Sequence, residues 1–214
     1  MKIHFGKIKP KKSRSAMAAI GEGRFRTARI LSDNTVEKAH KTEYVKDYGF
    51  FQIEFPVKPY IRVKYGVRDL NLLEAKNYNQ FFANAPSALE QCFPKVLGIK
   101  GEGTKSTLRM ELVIDFDGKK SMPLSAHTKI KDTVFWKKYD ELITFLSTNK
   151  IPLMDLRAEN IMVKRIGETE SIPAMVDYKC VTGRMYPFQP STWFLKGALG
   201  KMLRRAERIR KQYA

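Results

Sequence analysis

The spacing of apolar and polar positions changes from a strand-like to a helix-like pattern along the chain. In the first half, short apolar runs alternate with polar residues and are separated by Gly, Asn or Pro turns, a pattern typical of antiparallel strands. One helix, from Asp69 to about Phe82, interrupts them. The segments that we expect to be strands are Ala16–Ile20, Thr27–Leu31, Thr35–His40, Phe50–Phe55, Tyr60–Tyr65, Val96–Ile99 and Leu108–Asp115.

Helical spacing dominates the second half. Apolar residues recur every three or four positions from Val134 to Ser147, and Asp132 before them is a suitable N-cap. A loop from Ile151 to Val163 enters a short strand, and a second short strand covers Ala174–Val176. The stretch from Thr192 predicts an amphipathic helix with Lys and Arg opposite an apolar face. We therefore predict an α+β protein with a β-rich first half and a mostly helical second half.

The charge of the chain is concentrated at its two ends. The 214 residues include 40 Lys and Arg against 22 Asp and Glu, a formal net charge of +18. Residues 1–15 and 196–214 each carry +6, so the 180 residues between them carry only +6. An evenly basic nucleic-acid-binding domain would differ from this, although basic ends can also bind nucleic acid.

Composition excludes several classes of protein. No uncharged apolar run reaches the roughly 18 residues of a membrane-spanning helix, and the basic N-terminus lacks the apolar core of a secretory signal. Cys92 and Cys180 are too few for a disulfide framework or a zinc site, and we expect a cytoplasmic protein.

A Gly-x-Gly turn lies between the first two predicted strands. Without a Cβ at Gly21 and Gly23, backbone N–H groups can approach a phosphate closely. Such a turn is more often a simple hairpin, so it indicates little alone. The segment after it, Arg24–Leu31, has a strand pattern, which argues against a dinucleotide-binding fold.

A more specific motif begins at Asp155. Asp155 and Asn160 stand five positions apart ahead of a strand, as in the D-L-x-x-x-N core of kinase catalytic loops. In that arrangement the Asp orients an attacking hydroxyl, the Asn ligates Mg²⁺, and Arg157 can reach the phosphoryl group. Asp177 ends a predicted strand 17 residues after Asn160, where a kinase has its metal-binding carboxylate.

Two lysines are candidates for the residue that binds the phosphates. Lys38 lies on the strand after the glycine turn, and Glu74 on the predicted helix is available to pair with it. Lys64 also ends a strand-like run and is nearer to Glu74 in sequence. We favour Lys38, because 15 residues from Gly23 is short enough for adjacent antiparallel strands.

With these motifs in order, the chain resembles the YrbL family, the PhoP-regulatory-network proteins of bacteria, which have a protein-kinase-like fold. The resemblance covers about residues 16–180. Together with the charge pattern, which predicts a basic flexible arm at 1–15, it predicts a β-rich nucleotide-binding N-lobe at 16–117 and a helical C-lobe at 118–214 that holds the catalytic and metal loop. The segments that carry it are Gly21–Arg26, Asp69–Tyr78, Val113–Lys119 and Leu153–Val163.

The resemblance also implies a function. It suggests an ATP-dependent kinase with Mg²⁺, with Asp115 in the linker between the lobes among the nucleotide-binding residues. By analogy with kinase-like enzymes that act on lipopolysaccharide sugars, the expected acceptor is a hydroxyl of a sugar or envelope glycolipid. The basic C-terminal helix suits an anionic surface, such as the inner membrane, if it does not simply pack on the C-lobe.

The chain departs from protein kinases at three places. Leu153-Met154 replace the His-Arg before the catalytic Asp, Asp177-Tyr178-Lys179 lacks the glycine of D-F-G, and no A-P-E sequence follows. These departures motivate a second hypothesis, a nucleotide-binding pseudokinase that acts as a regulatory scaffold. A third, less favoured hypothesis is a nucleic-acid-binding protein that uses its basic ends.

Overall fold

The computed structural model describes residues 19–22, 26–41, 69–181 and 192–214. The predicted basic arm, the predicted strands Phe50–Phe55 and Tyr60–Tyr65, and the residues Gly23 and Lys64 lie outside these ranges. The described strands are Ala19–Glu22 (β1), Arg26–Ile30 (β2), Thr35–His40 (β3), Val96–Lys100 (β4), Thr107–Glu111 (β5), Met122–Pro123 (β6), Ile161–Arg165 (β7) and Ser171–Met175 (β8). The described α-helices are Leu70–Phe81 (α1), Thr133–Thr148 (α2) and Thr192–Tyr213 (α3).

The first five described strands form one antiparallel sheet in the order β1-β2-β3-β5-β4. The central strand β3 has the predicted bounds, and Lys38 on it lies opposite Ala28 on β2 and Leu108 on β5. The turn at Gly101–Gly103 lies between β4 and β5. Gly101 has φ +75°, and a Cβ there would lie 2.9 Å from the Lys105 carbonyl oxygen, so this turn requires glycine.

Helix α1 begins at the Asp69 N-cap and packs against the sheet and the core. Asp69 Oδ1 accepts from the N–H groups of Asn71, at 2.9 Å, and Leu72, at 3.0 Å. These bonds satisfy backbone donors that the first turn of a helix leaves unpaired. Leu73, Tyr78 and other apolar residues of α1 are buried.

The second half of the chain combines helices with a small sheet. The predicted helix is α2, and Asp132 is its N-cap, as expected; its second oxygen accepts from the backbone N–H of Ser171 at 2.5 Å, which joins α2 to β8. The two short strands expected here are β7 and β8, which pair with β6 in the order β6-β7-β8. Strand β6, which has only two residues, was not predicted, because two residues show no alternation.

Helix α3 packs its apolar face on α2 and the core. Ala198, Met202, Ala206, Ile209 and Tyr213 are buried, and the Tyr139 hydroxyl donates to the Ala206 carbonyl at 3.2 Å. Leu203 does not belong to this buried face: it is 40% exposed, because it lies about 100° around the helix from Met202.

Candidate nucleotide and metal site

A buried ion pair joins the first sheet to α1. The Lys38 ammonium donates to Glu74 Oε1 at 2.6 Å. Glu74 is fully buried, and Lys38 is 14% exposed. The contact between these two residues is the one that the sequence suggested, and the alternative Lys64 lies outside the described residues. A lysine held in this way presents its charge at a fixed position on the central strand.

Arg26 on β2 binds the other oxygen of the same carboxylate. Its Nη2 lies 2.6 Å from Glu74 Oε2, and its Nη1 donates to Asn71 Oδ1 at 2.8 Å. Arg26 was not among the predicted site residues, although it belongs to the segment that follows the glycine turn. Burial raises the pKa of Glu74, but Arg26 and Lys38 outweigh it and lower the pKa below its usual value, so this carboxyl is ionised near neutral pH.

The N-terminus of α1 is fixed by a second polar network. Asn71 is fully buried and donates from Nδ2 to the Ser106 carbonyl at 2.9 Å, while the Ser106 hydroxyl donates to Asp69 Oδ1 at 2.7 Å. Burial raises the pKa of Asp69, but hydrogen bonds from His40, Ser106 and the backbone lower it overall. This network holds the start of the helix that carries Glu74.

Asp177 lies at a turn two residues after β8. Its backbone is left-handed, with φ 75° and ψ 76°, an uncommon conformation for a residue other than Gly. Its carboxylate forms an ion pair with the Lys179 ammonium and lies 3.4 Å from Arg26 Nη2. Burial raises the pKa of Asp177, but Lys179, Lys38 and Arg26 hold it well below its usual range. We call Arg26, Lys38, Glu74, Asp177 and Lys179 the charge cluster.

Tyr178 fastens this turn to α1. Its backbone N–H donates to Glu74 Oε1 at 3.2 Å, and Asn77 Nδ2 donates to its carbonyl at 2.7 Å. Its ring is fully buried against Phe82, with centroids 4.9 Å apart, and its hydroxyl donates to backbone carbonyls. The helix that carries Glu74 and the turn that carries Asp177 are therefore held together.

The predicted catalytic loop lies next to this turn. Asn160 Nδ2 donates to the Asp155 carbonyl at 2.9 Å, and Arg157 Nε lies 2.8 Å from Asp155 Oδ1. The N–H of Val176 donates to the Asn160 carbonyl at 2.9 Å. Because Asp177 follows Val176 directly, this bond brings Asn160 beside Asp177.

Helix α3 holds the residues just before Asp155. The Leu153 N–H donates to Met202 Sδ at 3.3 Å, and Arg205 donates to the Met154 carbonyl. Leu153 also forms an isolated antiparallel bridge with Val181. Leu153 and Met154 stand where protein kinases have His-Arg, and here their backbone groups bind side chains of α3.

Asn160 and Asp177 fit Mg²⁺ by the chemistry of their donors. Mg²⁺ prefers oxygen and usually binds through one or two carboxylates, with phosphates and waters completing its shell. The side-chain nitrogen Nδ2 of Asn160 donates to the Asp155 carbonyl, which leaves the side-chain oxygen Oδ1 of Asn160 for a ligand. Across the described ranges, no group of three or more His, Cys, Asp or Glu could hold a metal ion. The pair therefore fits a metal that arrives with phosphate, not an all-protein cage.

Two of the described residues that we predicted to bind nucleotide, Asp115 and Gly21, are not part of the charge cluster. Asp115 accepts from the Ser121 hydroxyl and from the Arg165 N–H at 3.0 Å, contacts that fix the turn at Asp115–Gly118 to β7. Gly21 lies on β1 at an irregularity in its pairing with β2, and Gly23 lies outside the described residues. A role in nucleotide binding for these residues stays a prediction.

Among the described residues, the helices are too short or too polar to cross a membrane. The buried face of α3 leaves basic residues on its exposed side. The exposed basic residues of α3 are Lys196, Lys201, Arg204, Arg208, Arg210 and Lys211.

Solved structures similar to this chain have been found, although no model of a protein family and no curated protein matches it. The Rio2 kinase from Chaetomium thermophilum, solved as an ADP/Mg²⁺-phosphoaspartate complex, superposes with a TM-score of 0.52 at 12% identity. The match covers 90% of this chain and 60% of that one. Monomeric WbdD matches with a TM-score of 0.50 at 16% identity, over 85% of this chain and 37% of that one.

At such low identities these likenesses concern the fold alone, and membership of the YrbL family stays a prediction. This chain spans less than two thirds of either structure. The five-stranded sheet with helix α1, followed by a second half that contains α2 and α3, agrees with the predicted fold class. The chain has an α+β, protein-kinase-like fold.

Proposed function

We propose that the chain is a phosphotransferase that binds ATP with Mg²⁺ and transfers the terminal phosphoryl group to a hydroxyl acceptor. The observation that carries this proposal is that Glu74 contacts both Lys38 and the backbone N–H of Tyr178, which follows Asp177. Phosphoryl transfer asks a protein mainly for positioning and for electrostatic stabilisation. The charge cluster has three cations for two carboxylates, which suits a polyphosphate.

The residues that we predicted from the sequence motifs have separate roles in this proposal. Lys38 and the backbone around Gly21 and Gly23 bind the phosphates. Asn160 and Asp177 would hold Mg²⁺, which neutralises charge on the transferred phosphoryl group when it is bound. Asp155 accepts the proton of the attacking hydroxyl, and Arg157, 2.8 Å from it, offsets the developing charge.

The acceptor that we propose is a hydroxyl of a sugar or of an anionic envelope glycolipid. The exposed basic residues of α3 support this choice, since a row of cations on one side of a helix is attracted to an anionic surface. In the same proposal, the protein binds the cytoplasmic face of the inner membrane and is a member of the YrbL family.

A nucleotide-binding pseudokinase is the second candidate. The observation that favours it is the ion pair between Lys179 and Asp177, because the lysine engages the carboxylate that a kinase uses for its metal. The presence of Leu153 and Met154 in place of His-Arg also favours a pseudokinase. Phosphoryl transfer that requires Asp155 would exclude this candidate.

The test is calorimetric titration of the full chain with ATP in the presence of Mg²⁺. Lys38→Met removes the phosphate-binding charge, and we expect affinity to fall by about tenfold or more, as for loss of a hydrogen bond to a charged group. Lys38→Arg, which keeps Glu74 paired, separates loss of binding from loss of folding. The control is Lys137→Met on the exposed side of α2. Wild-type protein that binds no nucleotide would overturn the proposal.

A further inference from the structure

The lysine two residues after Asp177 belongs to the charge cluster, but the proposed function gives it no separate role at the metal site. The chain turns at Asp177 into the short 3-10 helix Tyr178–Cys180, and Lys179 in this helix has its ammonium against Asp177 Oδ2. Lys179 is 20% exposed and Asp177 is 16% exposed, so solvent screens this ion pair only in part.

The surroundings of Asp177 already supply positive charge before any metal is present. Arg26 Nη2 lies 3.4 Å from its Oδ1, and Lys38 is bound to the neighbouring Glu74. The other candidate metal ligand, Asn160, is neutral. A divalent ion that approaches these two ligands therefore meets one carboxylate that is paired on both oxygens, within a cluster that has more cations than anions.

We propose that Lys179 is a built-in counter-cation of Asp177 that a divalent metal has to displace, so that this chain binds nucleotide with little dependence on Mg²⁺. This inference rests on the proposed function, since it concerns the same nucleotide site. In this scheme Lys179, Arg26 and Lys38 supply the charge for the phosphates, and Mg²⁺ occupies Asn160 and Asp177 only at high concentration.

The metal is tested first without nucleotide. Mn²⁺ serves as a paramagnetic substitute for Mg²⁺, and its binding to the nucleotide-free chain is followed by electron paramagnetic resonance. In Lys179→Gln the side chain stays polar but loses its charge, and we expect Mn²⁺ to bind about tenfold more tightly than in wild type, as for removal of one charged hydrogen bond. Lys179→Arg restores a cation and is expected to return Mn²⁺ affinity to the wild-type value.

Lys119 provides a matched control. It too follows an aspartate by two residues, and its ammonium lies 3.2 Å from Asp117 Oδ2, but it is 79% exposed. Lys119→Gln is expected to leave Mn²⁺ binding unchanged. Asp177→Asn in the Lys179→Gln background is expected to remove the gain, which assigns the bound ion to Asp177.

Nucleotide binding is tested next, by titrating ATP into the chain in EDTA and again in excess Mg²⁺. We expect similar affinities for wild type under the two conditions, and Lys179→Gln is expected to bind ATP more weakly in EDTA than in Mg²⁺. Equal Mg²⁺ dependence in wild type and Lys179→Gln, or unchanged Mn²⁺ affinity in Lys179→Gln, would overturn the inference but not the proposed function. The absence of ATP binding under every condition would instead contradict the proposed function.

Discussion

The carboxylate of Glu74 accepts a hydrogen bond from the backbone N–H of Tyr178, 104 residues later in the chain, at 3.2 Å. The same carboxylate binds Lys38 and Arg26, so one buried side chain joins the central strand, α1 and the turn that carries Asp177. In a kinase-like fold, these are the elements whose relative position determines whether nucleotide and metal can bind together.

Removing the charge of Glu74 should therefore destabilise the protein. In Glu74→Gln, two cations that are nearly buried lose their counter-charge, and we expect the free energy of unfolding in urea to fall by about 3–5 kcal/mol. The control is Glu37→Gln on β3, next to Lys38, because its partner Arg29 is 53% exposed; here the expected change is below about 1 kcal/mol. Equal losses in the two variants would mean that Glu74 does not have this structural role.

The contacts of Glu74 also show how much of the fold and of the site could be predicted from the sequence alone. The strands, helices and N-caps depend on local pattern, and β3, α1, α2 and α3 lie where that pattern predicts them. The contact between Lys38 and Glu74 followed from the order of motifs. Arg26 was missed, because nothing local distinguishes it from the other basic residues of the chain, and its partner Asn71 is 45 residues away.

The part of the site around Asp177 shows the same limit. The motif indicated Asp155, Asn160 and Asp177, and the resemblance to kinases drew attention to the missing glycine at position 179. Lys179 contacts Asp177 at a turn where the backbone of Asp177 is left-handed, and a sequence pattern reveals neither the contact nor this conformation. Asn77, which donates to the Tyr178 carbonyl, lies in helix α1, and the helical spacing of apolar residues does not predict that its amide is buried.

Asp155 is the residue whose substitution should separate chemistry from binding. Asp155→Asn removes the proton acceptor for the attacking hydroxyl, and we expect phosphoryl transfer from ATP to fall by about 10²- to 10⁴-fold. Nucleotide affinity should stay close to the wild-type value, because Lys38, Asn160 and Asp177 are unchanged. The readout is release or transfer of labelled phosphate, next to a binding titration.

Glu159→Gln in the same loop is the control for Asp155→Asn, since Glu159 is exposed. It should leave transfer unchanged. Full transfer activity in Asp155→Asn would show that this residue is not the proton acceptor, and no transfer in wild type with any acceptor would favour the pseudokinase.

Arg205 should act as a positioning residue for the catalytic loop. It donates from α3 to the carbonyl of Met154, directly before Asp155. In Arg205→Ala this anchor is lost, and because a shift of about 1 Å at a reacting group costs up to about 10²-fold in rate, we expect kcat to fall while KM for ATP stays nearly constant. Steady-state kinetics with varied ATP provide the measurement.

A conservative variant and a neighbouring one separate positioning from general stability. Arg205→Lys keeps a donor and should recover part of kcat, whereas Glu207→Gln, in an exposed pair with Lys211 on the same helix, should change neither parameter. If kcat in Arg205→Ala falls only in proportion to the folded fraction of the protein, which by itself leaves KM unchanged, Arg205 is merely structural.

The pH dependence of stability should report on the Asp69 network at the start of α1. The pKa of Asp69 is lowered in the folded chain by His40, Ser106 and the helix N–H groups, against the effect of burial. A carboxyl with a lowered folded pKa binds fewer protons in the folded than in the unfolded state. Its stabilising contribution is therefore complete above the unfolded pKa of about 3.9 and is lost as pH falls through the folded pKa.

Asp69→Asn tests the direction of this pH dependence, because the amide oxygen of Asn still accepts from the helix N–H groups but the side chain carries no charge. We expect the variant to be less stable than wild type by about 0.3–1 kcal/mol at neutral pH, the usual scale for a negative charge at a helix N-terminus. The difference should shrink below about pH 4, as Asp69 becomes protonated in the wild type. Urea unfolding at several pH values measures it, with Asp140→Asn, whose carboxylate is 52% exposed, as the control. A difference that grows towards low pH would mean that the folded chain raises the pKa of Asp69.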